Sequence, residues 1–298
     1  MASWRSVPEA GSILGIKLVA GIYRLFGRTM ASGVLWCVAW YFTFFARVQR
    51  RAALDYFKRI GLPQTLRQVH QLIWSFARVG LDRLLFLLGD IQGLTVQLHG
   101  HDELMRLVKE KQGALLLGAH VGSFEAMRTL ASRYQVPLLV LVDFANAKRV
   151  TAMLQALAGD TVKFRMLELN AEDPLALLQV KEAIDRGELV AMLGDRRTDR
   201  EGRDVVVPFL GSPAKFPVGP YVLAHVLQCP VYFVAGLFHA PSRYDVIIAP
   251  LTERIELPRT GRDEAIEREA ARFAKVLEEY TRGAPLNWFN FFPFWMDS

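Results

Sequence analysis

The sequence lacks the features that define several large classes of protein. It has only two cysteines, Cys37 and Cys229, which lie far apart in apolar sequence and so provide neither a disulfide framework nor a metal-binding spacing. The Gly-x-Ser-x-Gly motif of serine hydrolases is absent, and neither cysteine adjoins a plausible base. There is no internal repeat and no low-complexity linker. We therefore expect a protein of a reducing compartment, without a metal or cofactor, whose chemistry needs no covalent enzyme intermediate.

Acidic residues are scarce in the first sixty positions, although the whole chain has 30 of them against 36 Lys and Arg, a net charge of +6. A basic excess favours an anionic partner, such as nucleic acid, acidic lipid or an acidic carrier protein. Here the basic residues surround an apolar segment, which suits an anionic membrane surface better than a nucleic-acid groove. We therefore expect a membrane surface as partner and no nucleic acid. The basic residues concerned are Lys17, Arg24, Arg28, Arg47, Arg50, Arg51, Lys58 and Arg59.

The apolar segment at 29–46 contains no charged residue. Eighteen residues at about 1.5 Å each only just cross the hydrocarbon core of a bilayer. Basic residues follow the segment and no small-residue cleavage site does, which disfavours a cleaved signal peptide. Three interpretations stay open: a short membrane span, a helix embedded in one leaflet, and a buried core helix. We predict a membrane-anchoring helical region at 1–60 and a separate α/β domain at 61–298.

Short apolar runs alternate with segments of helical periodicity from residue 94 onward. This alternation predicts an α/β fold with a mostly parallel central sheet flanked by helices, preceded by the hydrophobic N-terminal region. Strands are expected at 94–98, 114–119, 137–142, 188–193, 230–237 and 244–248. Helices are expected at 65–89, 102–111, 123–134, 146–157, 174–186, 216–227 and 263–282.

The stretch from His120 to Glu125 is the first motif with a chemical interpretation. His120 follows a predicted strand and Glu125 falls in the first turn of the next helix, which is the usual ligand crevice of an open α/β sheet. Such a pair supports general-base catalysis, in which the imidazole takes a proton from a hydroxyl and the carboxylate orients the ring. The alternative is a packed histidine followed by a solvated or capping acid, since Glu is favoured in a first turn.

A second motif, Asp195-Arg196-Arg197, follows the strand predicted at 188–193. In a parallel sheet it opens onto the same edge as His120. Two adjacent guanidiniums there suit a phosphate group or the developing oxyanion of acyl transfer. The alternative is a solvated loop, because alternating charges continue to residue 204.

A third block, rich in Gly and Pro, covers 205–220. An apolar strand leads into it and a predicted helix follows. The block includes Gly211 and Lys215, and a loop of this kind can present Lys215 and backbone N–H groups to an anion at a helix N-terminus. The alternative is a rigid connection without a ligand.

Together the three blocks resemble the lipid A late acyltransferase family, the lauroyl and myristoyl transferases of Gram-negative bacteria. The resemblance rests on His-x4-Glu after a buried strand, on the Asp-Arg pair, and on the run Val-Pro-Phe-Leu-Gly-Ser-Pro-Ala. It covers nearly the whole chain, including the hydrophobic N-terminal helix. The family is similar to the glycerolipid acyltransferases, in which a His-x4-acid pair acts on an acceptor hydroxyl.

The resemblance implies an O-acyltransferase on the cytoplasmic face of the bacterial inner membrane. The donor would be a thioester of acyl carrier protein or coenzyme A, and the acceptor a hydroxyl of a lipid, glycolipid or related molecule. His120 would be the base and Glu125 its partner, with Arg196 or Arg197 stabilising the oxyanion. A rival interpretation is a non-catalytic lipid-binding or membrane-scaffold protein. The residues predicted to contact substrate are Ser123, Asp195, Arg196, Arg197, Gly211 and Lys215.

Two departures from the family pattern concern the acceptor. The lipid A enzymes typically have Gly-Asn-Trp-Glu where this chain has Gly-Ser-Phe-Glu at 122–125. Their C-terminus usually carries a Trp followed by basic residues, whereas residues 287–295 here form an aromatic run. The reaction class is unaffected, and the acceptor stays open among another lipid, a glycolipid and a secondary-metabolite polyene.

Overall fold

The computed structural model describes residues 13–142, 165–168, 174–196 and 202–296. The helices in these ranges are α1 (Ile13–Phe45), α2 (Arg47–Arg59), α3 (Leu66–Leu88), α4 (His101–Glu110), α5 (Phe124–Arg133), α6 (Pro174–Asp185), α7 (Gly219–Leu227) and α8 (Arg262–Gly283). The strands are β1 (Thr95–His99), β2 (Ala114–Gly122), β3 (Leu138–Val142), β4 (Arg165–Glu168), β5 (Leu189–Leu193), β6 (Asp204–Phe209), β7 (Ser212–Pro217), β8 (Val231–His239) and β9 (Arg243–Thr252).

Seven strands form one sheet in the order β1-β9-β8-β2-β5-β3-β4. The strands β8, β2, β5, β3 and β4 run parallel, and β9 with β1 runs in the opposite direction. The predicted α/β fold with a mostly parallel sheet is confirmed. The central strand β2 lies between β8 and β5, which explains its nearly unbroken apolar sequence, because a parallel strand is covered on both faces.

Apolar side chains cover both faces of the sheet, because successive residues of a strand point to opposite sides. From β2, Leu115 and Leu117 belong to the larger core, which also contains side chains of α3, α7 and α8. Leu116 belongs to a smaller core with Leu104 and Leu107 of α4. The pairing of β2 with β8 shifts register between Gly118 and Gly122, but Ala119 and Val121 still belong to the larger core. His120 therefore follows the side of Leu116, above the smaller core.

Most of the expected helices and strands are confirmed, with ends shifted by up to four residues. For the helix expected at 216–227, the predicted start is wrong, because Ser212–Pro217 forms β7 and the helix begins at Gly219. The alternation of buried and exposed residues along Ser212–Pro217 explains the strand, which pairs antiparallel with β6. β4 was not expected from the sequence. The helix expected at 146–157 lies outside the described residues.

The helix α1 packs lengthwise against α3. Arg28 of α1 forms an ion pair with the buried Asp82 of α3, with 2.8 Å between Nη2 and Oδ2, and Tyr23 donates its hydroxyl hydrogen to Asp90. The hydroxyl of Tyr244 in β9 donates to the same carboxylate of Asp82 at 2.8 Å. These contacts join the N-terminal region to the α/β domain, and the division predicted at residue 60 stays a prediction.

Large apolar side chains are exposed along α1, although one of them, Trp36, also contacts His70 of α3. Within the described ranges, no individual helix is long and apolar enough to cross a bilayer, and α1 with α2 qualifies only as a pair bent by 91°. The membrane-anchoring role of this region stays a prediction. The exposed side chains are Leu18, Leu25, Phe26, Met30, Trp36, Tyr41, Phe44 and Phe45.

Candidate active site

His120 and Asp195 meet at the carboxyl edge of the sheet. Gly118 of β2 pairs with Leu193 of β5, so the residues two positions further along each chain are neighbours as well. His120 Nδ1 lies 2.8 Å from Asp195 Oδ1, and the backbone N–H of His120 donates to Asp195 Oδ2 at 3.1 Å. The structure therefore brings the first two predicted motifs to one edge through these two residues.

The surroundings of this pair set its protonation. Burial alone would raise the pKa of Asp195, but the charge of protonated His120, the hydrogen bonds from His120 and the charge of Arg196 outweigh it and lower that pKa. Burial, followed by the charge of Arg196, lowers the pKa of His120 against the opposing effect of Asp195. At pH 7 Asp195 is therefore ionised and His120 neutral. Because a carboxylate only accepts hydrogen bonds, the imidazole proton is on Nδ1 and the lone pair on Nε2.

The imidazole is accessible although its partner is not. The side chain of His120 is 35% exposed, whereas that of Asp195 has no exposed surface. Within the described ranges, Nε2 of His120 forms no hydrogen bond. A neutral imidazole with a free Nε2 and a buried carboxylate on Nδ1 is the arrangement of a general base.

The segment 287–292, called the C-terminal segment below, closes one side of the pair. The N–H of Phe289 donates to the carbonyl of His120 at 2.9 Å, and the N–H of Gly122 donates to the carbonyl of Asn287 at 2.8 Å. The side chain of Asn287 accepts from Phe238 N at 2.6 Å and donates to Phe238 O at 3.0 Å. The C-terminal segment is thereby fixed to both β2 and β8 beside the imidazole.

Arg196 connects Asp195 to the C-terminal segment. Its Nη2 donates to the carbonyl of Phe289 at 2.9 Å, and its guanidinium lies 4.7 Å from the ring centre of Phe292. Its Nε is 3.8 Å from Asp195 Oδ2. The side chain is 13% exposed and its burial lowers the pKa of the guanidinium. Arg196 therefore pairs with the carboxylate and holds the C-terminal segment through Nη2, while Nε and Nη1 make no hydrogen bond to a described residue.

The structure corrects the contact predicted for Glu125. Its Oε1 lies 2.8 Å from Nε of Arg83 in α3, and the carboxylate that contacts the imidazole is Asp195 instead. The reason is the short connection at Ser123, after which α5 begins at once and directs the first helical turn toward α3. The participation of Glu125 in the reaction stays a prediction, and its role as the partner of the ring is wrong in this structure.

The remaining predicted substrate contacts have other surroundings. Ser123 is buried, and its Oγ caps α5 by accepting from Ala126 N at 3.2 Å. Its contact with substrate stays a prediction. Gly211 is in the turn between β6 and β7, and Lys215 is exposed on β7. No hydrogen bond or ion pair between described residues joins either of them to His120, and β6 of this hairpin packs on α8. Arg197 lies outside the described residues.

Two glycines allow β2 and β8 to approach closely beside the site. Gly122 has a φ of 67°, and a Cβ at this position would collide with the carbonyl oxygen of Gly236. That carbonyl accepts from Ser123 N at 2.7 Å. Because the N–H groups of Gly122 and Ser123 are both occupied within the protein, neither is free to stabilise an oxyanion.

A family model of bacterial lipid A biosynthesis acyltransferases matches residues 6–296. The chain belongs to this family. It is therefore an acyltransferase, and the resemblance inferred from the three sequence blocks is confirmed. The rival interpretation of a non-catalytic lipid-binding protein is set aside. No curated protein sequence matches the chain at a significant level.

An apolar cavity of about 50 Å³ in this acyltransferase lies between the sheet and α5. Leu116 and Ala191 of the sheet and Phe124 and Met127 of α5 are among its lining residues. Leu116 lies on the side of β2 opposite to Ala119 and Val121, as His120 does, and is four residues before it. The cavity and the imidazole are therefore on the same face of the sheet.

Several residues of this site had little signal in the sequence. Asn287 and Asn290 are buried polar residues in an aromatic segment. Because a buried amide needs hydrogen-bond partners, two asparagines within an aromatic run were the signal that the sequence offered. Arg83 had no such signal, because helical periodicity identifies only the apolar positions of α3. Within the described part of the chain, no group of three or more His, Cys, Asp and Glu side chains is arranged to hold a metal ion.

Proposed function

We propose that this acyltransferase moves a fatty acyl group from a thioester of acyl carrier protein or coenzyme A to a hydroxyl of a lipid, glycolipid or related acceptor. The observation that supports this reaction best is the pair of His120 and Asp195, which provides a neutral, accessible imidazole with Nε2 free. Transfer from a thioester to a hydroxyl needs a base of this kind to take the hydroxyl proton.

The proton follows a complete path between the substrates. Nε2 of His120 accepts the acceptor's hydroxyl proton while the oxygen attacks the thioester carbonyl carbon and the C=O electron pair moves to the carbonyl oxygen. Asp195 stabilises the imidazolium that forms, 2.8 Å from Nδ1. When the tetrahedral intermediate collapses, the C–S bond breaks, and the leaving thiolate takes the proton from Nε2. The imidazole is neutral again at the end of the cycle.

The negative charge of the intermediate requires a positive group nearby. We assign this role to Arg196, whose Nη1 and Nε make no hydrogen bond to a described residue. Its other contacts fix its position, so it need not reorganise when the charge develops. The acyl chain is assigned to the cavity lined by Leu116 and Ala191, on the same side of the sheet as the imidazole.

The proposed location is the cytoplasmic face of the bacterial inner membrane. The exposed apolar side chains of α1 support it, together with the basic residues that accompany the helix. Apolar side chains enter the acyl boundary while basic side chains contact anionic headgroups, so a helix lying in the interface suits both features.

An acyl-transfer assay with purified protein tests the proposal. Acyl carrier protein or coenzyme A carries a labelled acyl group, bacterial membrane lipids serve as acceptors, and mass spectrometry identifies the acylated product. We expect His120→Ala to lower the rate by about 10²–10⁴-fold. The control His101→Ala alters an exposed histidine at the start of α4 and should transfer normally. Turnover by His120→Ala at the rate of the unmodified protein would show that another group is the base.

A further inference from the structure

The guanidinium of Arg83 is held at one side and open at the other. The buried carboxylate of Glu125 lies 2.8 Å from its Nε. Nη1 and Nη2 form no hydrogen bond with any residue in the described ranges, and the side chain is 38% exposed. The contact is an ion pair, in which Nε donates no hydrogen bond. A guanidinium carries its donors in a rigid planar fork, and an open fork fits the oxygens of a phosphate or carboxylate.

A second cation contributes to the charge at this position. Arg128 lies one turn after Glu125 in α5 and is buried. Its burial lowers its pKa, the charge of Arg83 acts in the same direction, and the charge of Glu125 opposes both. Two guanidiniums therefore lie near one carboxylate, which cannot neutralise both. The electrostatic potential at the exposed one, Arg83, is more positive than in an isolated ion pair. Positive potential of this kind favours an anionic ligand.

The position of Arg83 relates it to the imidazole. Phe76 and Arg83 are seven residues apart on one face of α3, two turns or about 10.5 Å. Phe76 contacts the ring of Phe289, whose N–H is bonded to the carbonyl of His120. Gly80 lies between Phe76 and Arg83 in α3, and a Cβ at this position would have no other atom within 4 Å. This face of α3 therefore runs past the active site, with room for a ligand between the two ends.

We propose that Arg83 binds a phosphate group of a substrate while the reacting end of that substrate lies at His120. This inference rests on the proposed function. Glu125 is then a positioning residue, which orients the fork of Arg83 and does not act on the imidazole. A phosphate is present in the phosphopantetheine arm shared by acyl carrier protein and coenzyme A, and also in phosphorylated lipid acceptors. The two sources share one chemistry and are separated by experiment.

Equilibrium binding without turnover provides the test. Isothermal titration of coenzyme A and of dodecyl phosphate reports the donor and the acceptor phosphate separately. We expect Arg83→Gln to weaken one of these probes by about ten-fold or more, because a charge-assisted hydrogen bond is lost. The probe that weakens identifies the source. Arg83→Lys, which keeps the charge without the fork, should fall between Arg83→Gln and the unmodified protein.

The matched control is Arg106→Gln. Arg106 is also 38% exposed and also pairs with a glutamate, Glu103, at 2.7 Å. It contacts Tyr232 at the start of β8, which is the opposite edge of the sheet from His120. Arg106→Gln should bind both probes normally. Thermal unfolding of each variant establishes that it is folded before its affinity is compared.

Equal affinity of Arg83→Gln and the unmodified protein for both probes would overturn the inference, as would an equal loss in Arg106→Gln. In steady-state kinetics, Arg83→Gln should raise the KM of the identified substrate more than it lowers kcat. A fall in kcat with no change in either KM would also contradict it. A failure of His120 as the base leaves these binding results unchanged, so the two proposals fail separately.

Discussion

Replacing Asp195 by Asn removes the negative charge beside the imidazole and leaves the shape of the side chain. In the structure, Asp195 Oδ1 is 2.8 Å from Nδ1 of His120 and Oδ2 accepts from the backbone N–H of the same residue. The amide oxygen of Asn can accept from only one of these two N–H groups, and its NH2 faces the other. Neither group contacts the substrates directly, so substrate binding should change little. The step that suffers is the one in which His120 becomes an imidazolium.

The size of the loss follows from the geometry. Two unit charges about 4 Å apart interact by about 4 kcal/mol at an effective dielectric constant of 20. Asp195 has no exposed surface, so water does not replace the lost charge. A transition state less stable by about 4 kcal/mol corresponds to a fall in kcat of about 10³-fold. We therefore expect Asp195→Asn to lower kcat by about 10³-fold.

The pH dependence of kcat distinguishes this role from a general loss of structure. Activity needs neutral His120 and so falls as the pH drops through its pKa. Because the charge of Asp195 raises that pKa, Asp195→Asn should move the acid limb to lower pH. Glu125→Gln makes the same chemical change at a carboxylate that does not contact the ring, so its acid limb should stay in place.

Initial rates of acyl transfer with a labelled thioester, measured across the pH range at saturating substrate, provide both quantities. Asp195 is not the partner of His120 if Glu125→Gln loses about 10³-fold in kcat and shifts the acid limb while Asp195→Asn does neither. That result would return the ring-orienting role to the residue that the sequence motif favoured.

Three further predictions concern the surroundings of the site. Asn287→Ala leaves the buried N–H and C=O of Phe238 without partners and should lower the free energy of unfolding in urea by about 2–4 kcal/mol. An unchanged urea midpoint would show that these two hydrogen bonds do not hold the C-terminal segment to β8. Ala191→Phe fills the apolar cavity and should reduce kcat/KM about four-fold for each methylene excluded from it. If the ratio of kcat/KM for long and short acyl donors stays unchanged, the acyl chain binds elsewhere. Phe45→Glu should weaken membrane binding, measured by co-sedimentation with vesicles at about 1 M salt, where charges are screened. The control Leu178→Glu, at another exposed position, should not. Equal effects of the two variants would exclude α1 as the part of the protein that contacts the membrane.

The sheet and the order of its elements along the chain could be predicted from the sequence, because a strand buried on both faces of a sheet has an unbroken apolar run. The strand before His120 and the strand before Asp195 both have this signature. Parallel neighbours open at a common edge, so the meeting of the two motifs followed from the fold class. The hairpin of β6 and β7 was only half predicted, since the prolines at Pro213 and Pro217 mask the alternation of β7.

The partner of the imidazole was not accessible in the same way. Spacing along the chain favoured Glu125, which is five residues from His120, over Asp195, which is 75 residues away. The choice depends on how sharply the chain turns at Ser123 and on the register between β2 and β5, and both are properties of the packed structure. The C-terminal segment was missed for the same reason, because its contacts with β2 and β8 are long-range.

The ¹⁵N spectrum of the imidazole tests the central claim most directly. With ¹⁵N-labelled histidine, the signals of His120 are assigned by their absence in His120→Gln and followed through a pH titration. We expect a neutral ring at pH 7 with the proton on Nδ1, and a pKa below the usual value near 6.5. We also expect Asp195→Asn to lower this pKa further and Glu125→Gln to leave it unchanged. A proton on Nε2, or a pKa that responds to Glu125→Gln and not to Asp195→Asn, would show that Asp195 is not the partner of a general base at His120.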